Sequence, residues 1–267
     1  MSLPGNWKNW VVQQLLAGKP ALQIINQLMA NGFRFEDCKA ALGNNLPKDI
    51  RSPLDDAFFK KLACPGFLEN DDITYEDYSS SQIQLFKLPH FLTETECKDI
   101  IRVAEENFEP SKISAKSGYE GFRTSTTCNL SFLASPVVAQ VEKKIVQALR
   151  FGVGENEVIQ AQRYQEGQQF KEHTDYFEPG SDEYRQHASQ RGQRTWTVMI
   201  YLNEGCEGGE TEFLKIDKKF KPAQGTALVW NNLQANGIPN FNTLHQAHPV
   251  TSGEKYVITK WFRTVNQ

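Results

Sequence analysis

The sequence predicts an α+β protein: an antiparallel sandwich or jelly roll with helices packed outside it. Two observations carry this. Short β-rich segments near 158–164, 195–202, 211–215, 226–230 and 256–262 are separated by Gly, Pro and Asn turns. Two amphipathic helical patterns precede them, and helices followed by many short strands pack as a sheet core with outer helices. The composition suits such a core, with 39% hydrophobic residues in 267 and a mean hydropathy of −0.52.

The chain opens with three helical stripes. Trp10, Val11, Leu15 and Leu16 form the first, ended by Gly18. Leu22, Ile25, Leu28 and Met29 form the second, ended at Asn31-Gly32, and Phe35 to Leu42 the third, ended by Gly43. None of these residues is chemically reactive, so residues 1–50 read as a small helical packing or partner-binding module. Residues 51–82, with prolines, Asp71-Asp72 and Ser79-Ser80-Ser81, read as a linker with room for a short helix. From 83 to 267 the texture is that of a folded domain. Ile83-Gln-Leu-Phe-Lys-Leu88 predicts a strand stopped by Pro89, and Thr93-x-x-Glu96 a capping box opening a helix through Ile100, Ile101 and Ala104. Ser135-Pro136 opens the next helix, with Val137, Val138, Val141, Ile145 and Leu149 along one side.

A net charge of −3 and a pI near 6.0 give no general electrostatic reason to bind nucleic acid or an anionic membrane. No run of about 18 apolar residues exists, and Met1-Ser-Leu-Pro-Gly-Asn-Trp7 lacks the basic and then apolar pattern of a signal peptide. Cys38, Cys64, Cys97, Cys128 and Cys206 are odd in number, widely spread and never in a C-x-x-C pair. They read as reduced thiols of a cytoplasmic protein.

The chemistry gathers at His173-Thr174-Asp175 and at His245-Gln-Ala-His248. In a strand, positions i and i+2 point the same way, so His173 and Asp175 can reach one ion while Thr174 faces away. Two histidines and a carboxylate on one side of an ion leave the opposite positions open, which suits Fe(II) in oxygenases. Zinc with a bound water is the competitor. The third ligand must come from elsewhere, and His245 and His248 are the candidates.

Residues 83–263 resemble the catalytic domain of prolyl 4-hydroxylases, a branch of the 2-oxoglutarate- and Fe(II)-dependent dioxygenases. The matching pieces run in order over about two thirds of the chain: Phe91-Leu92 before the Glu96-Cys97 helix, Phe122-Arg-Thr-Ser125, Gln162-Arg-Tyr-Gln-Glu-Gly-Gln168 leading into His173-Thr-Asp175, Gly192-Gln-Arg194, Tyr201-Leu-Asn203, Gly208-Gly-Glu-Thr-Glu-Phe213, Gly225-Thr-Ala227, and His245 through Lys255 to Lys260-Trp261. The resemblance implies a double-stranded β-helix (jelly-roll) core. It implies iron held by His173, Asp175 and His245, with His248 a structural histidine; His90 and His187, in loop-like polar surroundings, read as surface groups. Lys255, ten residues past the distal histidine, would pair with the distal carboxylate of 2-oxoglutarate, helped by the Tyr201 hydroxyl, with Tyr164 beside the cosubstrate and Thr211 lining the pocket.

On the substrate side the resemblance implies Arg194 against a peptide near the iron, with Arg123, Glu157 and Trp261 around the groove. Two departures touch that side alone: Phe170 stands where the family often has tyrosine, and Arg263 where some members have histidine. The polar stretch Tyr176 to Gln193, with Pro179-Gly180, is expected to be a mobile loop that closes over substrate. The implied reaction hydroxylates a prolyl residue of a protein or peptide, using O₂ and 2-oxoglutarate, releasing succinate and CO₂, with ascorbate as reductant. Hydroxylation of a free amino acid or other small molecule is the alternative within the fold, and a non-catalytic jelly-roll binding protein the alternative outside it. Nucleic-acid demethylation is disfavoured by the acidic balance and by lysine at position 255. The sequence does not specify an oligomeric state.

Overall fold

The computed structural model describes residues 2–47, 50, 52, 54–111, 122–150 and 157–264. In chain order, three helices, α1 (Gly5–Leu16), α2 (Ala21–Ala30) and α3 (Phe35–Leu42), are followed by α4 (Asp56–Leu62), β1 (Glu76–Asp77), β2 (Leu85–Leu88), α5 (Glu94–Glu105), β3 (Glu109–Pro110), β4 (Thr126–Asn129) and α6 (Pro136–Leu149). The remainder is β5 (Gln160–Tyr164), β6 (Phe170–His173), α7 (Asp182–His187), β7 (Arg194–Tyr201), β8 (Glu207–Gly208), β9 (Thr211–Phe213), β10 (Lys218–Phe220), β11 (Ala227–Asn231), β12 (His245–Ala247), β13 (Val250–Ser252) and β14 (Lys255–Arg263).

The strands form two facing sheets, as in a jelly roll. The larger has the order β1-β2-β11-β7-β14-β5-β4-β3 and the smaller β10-β9-β12-β6, with β8 and β13 paired apart. Every ladder between these strands is antiparallel. Alternate residues of the larger sheet feed two cores, because successive side chains leave opposite faces of a strand. Val198, Ile200, Ala227 and Val229 join Ile100, Val141 and Ile145 of α5 and α6 on the outer face. Met199, Tyr201, Leu228 and Trp230 meet Phe213 and Phe220 between the sheets. Both faces are covered, which is why β7 and β14 read as almost unbroken buried runs.

The predicted strands and helices of 83–267 appear with small shifts of boundary, and the capping box is made: Glu96 N–H donates to Thr93 Oγ1 at 3.2 Å and Thr93 N–H to Glu96 Oε2 at 2.8 Å. The segment read as a linker is built into the domain. Leu62 and Phe67 lie in its outer core, and the Trp196 indole donates to the Leu62 carbonyl at 2.9 Å. In the N-terminal helices the phase of the stripes differs from expectation. Val11, Ile24, Ile25 and Leu28 form the interior, while Leu16 and Leu22 are 83% and 49% exposed. A short helix with apolar residues around most of its circumference has no unique face, and packing against α3 selects it.

The stretch 176–193 is an organised segment rather than an open loop. Phe177, Tyr184 and Ala188 make a small core, with α7 capped by Ser181. Gln193 staples its two ends, accepting from Phe177 N–H at 2.8 Å and donating to the Phe177 carbonyl at 2.6 Å. Gly192 has no room for a side chain, since a Cβ there would lie 1.7 Å from the Thr264 carbonyl oxygen.

Replacing Thr93 by Ala removes the α5 cap, a loss of about 1 kcal/mol. The expected result is a fall in thermal midpoint of roughly 2–4 °C for a chain of this size, read by scanning calorimetry, with a metal-binding isotherm indistinguishable from that of the unaltered protein.

Candidate active site

His173 ends β6 and His245 begins β12, and the two are directly paired across that antiparallel ladder. Their rings lie 4.2 Å apart between centroids. Asp175 lies just past the end of β6 in a bend rather than on the strand itself, and the bend turns its carboxylate into the same cavity. One ligand atom from each of the three can be chosen so that all lie within 4.8 Å of one another.

The donor set fits a divalent transition metal. His173 Nδ1 is 2.7 Å from the Lys171 carbonyl and His245 Nδ1 is 2.9 Å from the Thr243 carbonyl. Each carbonyl can accept only from an Nδ1–H tautomer, which leaves each Nε2 as a lone-pair donor. Burial, with His245 nearby, pushes the His173 pKa down to about 3, so the ring is neutral and ready to bind. Burial works against the Asp175 carboxylate, but His245, His173, Arg194 and the Thr197 hydroxyl together hold its pKa below the ordinary value. Aromatic rings fix the imidazoles: Phe170 stacks on His173 at 3.5 Å, and Trp230 meets His245 edge-on at 5.0 Å.

Behind the carboxylate runs a buried hydrogen-bonded chain. Thr197 Oγ1 donates to Asp175 Oδ2 at 2.7 Å, Asn232 Nδ2 donates to Thr197 Oγ1 at 2.8 Å, and the Trp230 indole donates to Asn232 Oδ1 at 3.0 Å. None of Thr197, Asn232 or Trp230 is singled out by the motifs. The usable signal was period two: Thr197 and Met199 share the inward face of Tyr201 on β7, and a threonine buried in an apolar run needs a partner.

Lys255 opens β14 on the wall of the same cavity, which also holds Arg123, Tyr164, Thr211, Trp261 and the triad. It is fully buried. Its ammonium donates to the Gly209 carbonyl at 2.6 Å, and no carboxylate among the described residues lies within ion-pair distance of it. Burial, only partly offset by Cys206 and the Glu210 carboxylate nearby, pushes its pKa down to about 8. Gly209, at φ +69°, must lack a side chain here, because a Cβ would sit 3.1 Å from the Lys255 chain. Tyr164 and Tyr201 flank the ammonium, with ring centroids 5.0 and 5.6 Å away. The Tyr201 hydroxyl donates within the protein, to Thr211 Oγ1 at 2.8 Å and the Phe220 carbonyl at 3.3 Å, so its lone pairs, not its proton, remain for a further partner. A carboxylate-bearing ligand reaching from the triad to Lys255 would supply the missing charge.

The remaining predicted residues sit at the rim, in two groups. Arg123 leans over Phe170 at 4.9 Å and donates to Ser125 and Thr127 hydroxyls. Arg194 lies over the Trp261 ring at 4.1 Å and donates to the Asp175 carbonyl at 3.3 Å. Glu157 stands behind Arg194, not at an open groove. It accepts from Arg194 at 2.6 and 2.8 Å and from Arg263 at 2.6 Å. Burial would raise its pKa, but the two guanidiniums, Arg194 foremost, hold it below the ordinary value. Arg263 also donates to the His187 and Gly192 carbonyls, which explains an arginine at that position: it ties Glu157 to the 176–193 segment. Trp261 Nε1–H is buried and has no acceptor among the described residues. His248 lies outside the triad and bonds Glu212 at 2.6 Å. His187 stacks on Phe177 at 5.9 Å and is half-buried, while His90 is exposed.

Residues 159–263 match the family model described as the 2OG-Fe(II) oxygenase superfamily. Prolyl 4-hydroxylase 13 of Arabidopsis thaliana is 34% identical over 206 residues, 67% of this chain and 71% of the relative. A putative prolyl 4-hydroxylase of Acanthamoeba polyphaga mimivirus is 30% identical over 194 residues, 72% of this chain and 79% of the relative. Among solved structures, the 2OG complex of a viral collagen prolyl hydroxylase from Paramecium Bursaria Chlorella virus-1 superposes with a TM-score of 0.54 at 27% identity, covering 68% of this chain and 96% of that one.

Removing the hydroxyl that fixes Asp175, in Thr197→Val, is expected to weaken metal binding about 10- to 100-fold, read by titrating Co(II) against its visible absorption. His248→Ala should leave that titration unchanged, whereas His245→Ala should abolish it. The affinity for 2-oxoglutarate is expected to depend on the Lys255 charge. Its ammonium is present below pH 8 and is lost as pH rises through the depressed pKa of about 8. Calorimetric titration should therefore show constant affinity well below that pH and a loss approaching about tenfold per unit above it. An equal profile in Lys255→Met would remove the lysine from the site.

Proposed function

Because the chain belongs to the prolyl 4-hydroxylase family of the 2OG-Fe(II) oxygenase superfamily, we propose that it hydroxylates a prolyl residue of a protein or peptide with Fe(II) and 2-oxoglutarate. One observation carries the assignment to this chain: the two-histidine, one-carboxylate set and a buried ammonium with no carboxylate in ion-pair distance among the described residues line a single cavity. A non-catalytic jelly roll has no use for a buried lysine without a directly paired carboxylate, since that arrangement costs stability.

His173, Asp175 and His245 would hold the iron, and Lys255 would bind the distal carboxylate of the cosubstrate, with Tyr164, Tyr201 and Thr211 around it. The bound pair supplies the oxidation: O₂ and 2-oxoglutarate yield succinate and CO₂, and one oxygen atom enters the substrate C–H bond. The protein's own work is placement and exclusion of water. The Asp175–Thr197–Asn232–Trp230 chain fixes the carboxylate, and Phe170, Phe213 and Trp230 wall the imidazoles.

We place the substrate peptide along Trp261, Arg194 and Arg123. The unpartnered Trp261 N–H can donate to a peptide carbonyl at the rim, and Glu157 with Arg263 keeps the Arg194 guanidinium over the Trp261 ring. Arg194 thus closes the site from the side and contacts the substrate, while Glu157 positions it. The five cysteines are all free thiols, which favours a reducing, cytoplasmic setting, with ascorbate serving as the reductant.

Incubation with Fe(II), 2-oxoglutarate and a proline-containing peptide library is expected to add one oxygen to a proline, located by mass spectrometry, with succinate formed in equal amount. Oxygen gained by free amino acids and by no peptide would transfer the assignment to a small-molecule hydroxylase. Trp261→Phe keeps the ring and deletes the N–H. It should raise the peptide KM several-fold, consistent with about 1 kcal/mol for a lost hydrogen bond, while succinate formation without peptide stays at its original rate.

A further inference from the structure

The N-terminal helices do not hang free of the domain. They dock on the 176–193 segment: Gly180 N–H donates to the Asn31 carbonyl at 2.8 Å, Arg185 donates to Asn31 Oδ1 at 3.4 Å, and Tyr184 lies against Gly32. Trp7 and Phe33, 4.9 Å apart, press on Gly180. The module brings its own core to this contact, so it is a platform and not a tail.

Between the module and the domain lies a cavity of about 310 Å³, walled by Pro4 and Phe33 of the module, Tyr176 and Pro179 of one rim segment, and Ile238 and Phe241 of another. Both rim segments lead straight to the candidate metal ligands. Tyr176 is the residue after Asp175, its Cα about 3.8 Å away along the chain. Phe241 is four residues before His245, at most about 14 Å by chain length. A recess of about 430 Å³ adjoins this cavity, sharing Gly32, Phe33, Arg34 and Pro239. An extended peptide advances about 3.1 Å per residue, so one held at the iron reaches the cavity within about five residues.

The lining selects the occupant. Arg34 is already paired with Asp56 at 2.6 Å and Asp37 at 3.6 Å, and Lys215 covers Phe241 at 4.8 Å. The rest of the lining is mainly aromatic, proline and aliphatic surface, with Ser2, Asp37 and Glu178 as its other polar members. Such a surface takes a pre-extended proline-rich chain at low entropic cost. We propose that the N-terminal module and the two rim segments form a second peptide subsite, which holds a proline-rich stretch of the substrate protein a few residues from the proline presented to the iron. This rests on the reading above that the substrate is a peptide.

The test compares a short peptide carrying one hydroxylatable proline with two longer ones, extended on each side by about ten residues, or about 31 Å, of either proline-rich or Gly-Ser sequence. Burying about 60 Å² of apolar surface corresponds to about a tenfold gain in affinity. The proline-rich extension should therefore lower KM at least about tenfold relative to the Gly-Ser extension. Phe241→Ala, on a side chain 55% exposed and so removable without loss of fold, and Phe33→Ala, on the module side, should each erase that difference. Equal KM values for the two extensions, with the short peptide still hydroxylated, would overturn the subsite and leave the enzyme assignment standing. Oxygen gained by no peptide would instead overturn that assignment. The subsite is then decided by anisotropy of the same peptides, fluorescently tagged, without metal or cosubstrate: preferential binding of the proline-rich peptide that Phe241→Ala abolishes supports it, and equal binding rejects it.

Discussion

The pairing of β6 with β12 is the constraint on which the site depends. These are short strands of the smaller sheet, four and three residues long, yet their register sets His173 directly against His245. A slip of one residue would turn one histidine to the opposite face. The register is held from both sides: β9 pairs with β12 so that Phe213 lies against His245, and the β9–β10 hairpin extends the sheet beyond it. The imidazoles then need only their carbonyl partners two residues back to fix ring orientation. Two ligands are therefore set by sheet geometry and the third by a bend.

Buried charge separates the working parts of the molecule from its supports. Lys260 is as buried as Lys255, but it meets Glu142 at 2.5 Å and the Glu157 carbonyl at 2.9 Å, an internally satisfied group on the outer face of β14. Arg194, Glu157 and Arg263 likewise satisfy one another. Among the described residues Lys255 bonds one carbonyl and lies against two aromatic rings, with Glu210 acting on it only from beyond ion-pair distance. Charges left without a direct partner inside a fold are costly, so the difference between two lysines five residues apart on one strand is the support for proposing Lys255 as the one that takes an anion. Lys255 and Lys260 are on opposite faces of β14, as an odd separation requires.

Much of the domain could be read from its residues because its signals are local. The capping box at Thr93, Pro136 at a helix start and the turn glycines state their roles within a few positions. Ordered motifs mark the triad and Lys255, and a strand's period of two places His173 and Asp175 together even though the strand stops before Asp175. Residues whose meaning is purely tertiary were not accessible in this way. Thr197, Asn232 and Trp230 make one chain only after β7 and β11 pair. Glu157 looked like a groove residue, but its position behind Arg194 depends on Arg263, 106 residues away. β6, with the sequence Phe-Lys-Glu-His and a mixed burial pattern, carries too little apolar alternation to stand out. The segment 176–193 reads as polar and mobile because its three buried residues, Phe177, Tyr184 and Ala188, are too sparse to form a visible stripe.

That segment also shows how the barrel and its rim divide their tasks. Everything that would hold metal and cosubstrate is anchored in strands or immediately beside them, where register and two-sided packing allow little displacement. The contacts proposed toward substrate come instead from strand ends and the segments between strands: Arg194 at the first position of β7, Trp261 near the end of β14, the 176–193 segment with Tyr176, and the 233–241 segment with Phe241. Gln193 joins the two tasks, because its side chain staples the segment closed at Phe177 while its backbone leads directly into Arg194. A shift of the segment would thus be felt first at Arg194 and then, through its bond to the Asp175 carbonyl, at the bend carrying a metal ligand. The N-terminal module, by gripping Gly180 and Tyr184 from outside, bears on the same lever. The proposed peptide contacts at the rim and the geometry at the triad are therefore mechanically continuous through one short stretch of chain.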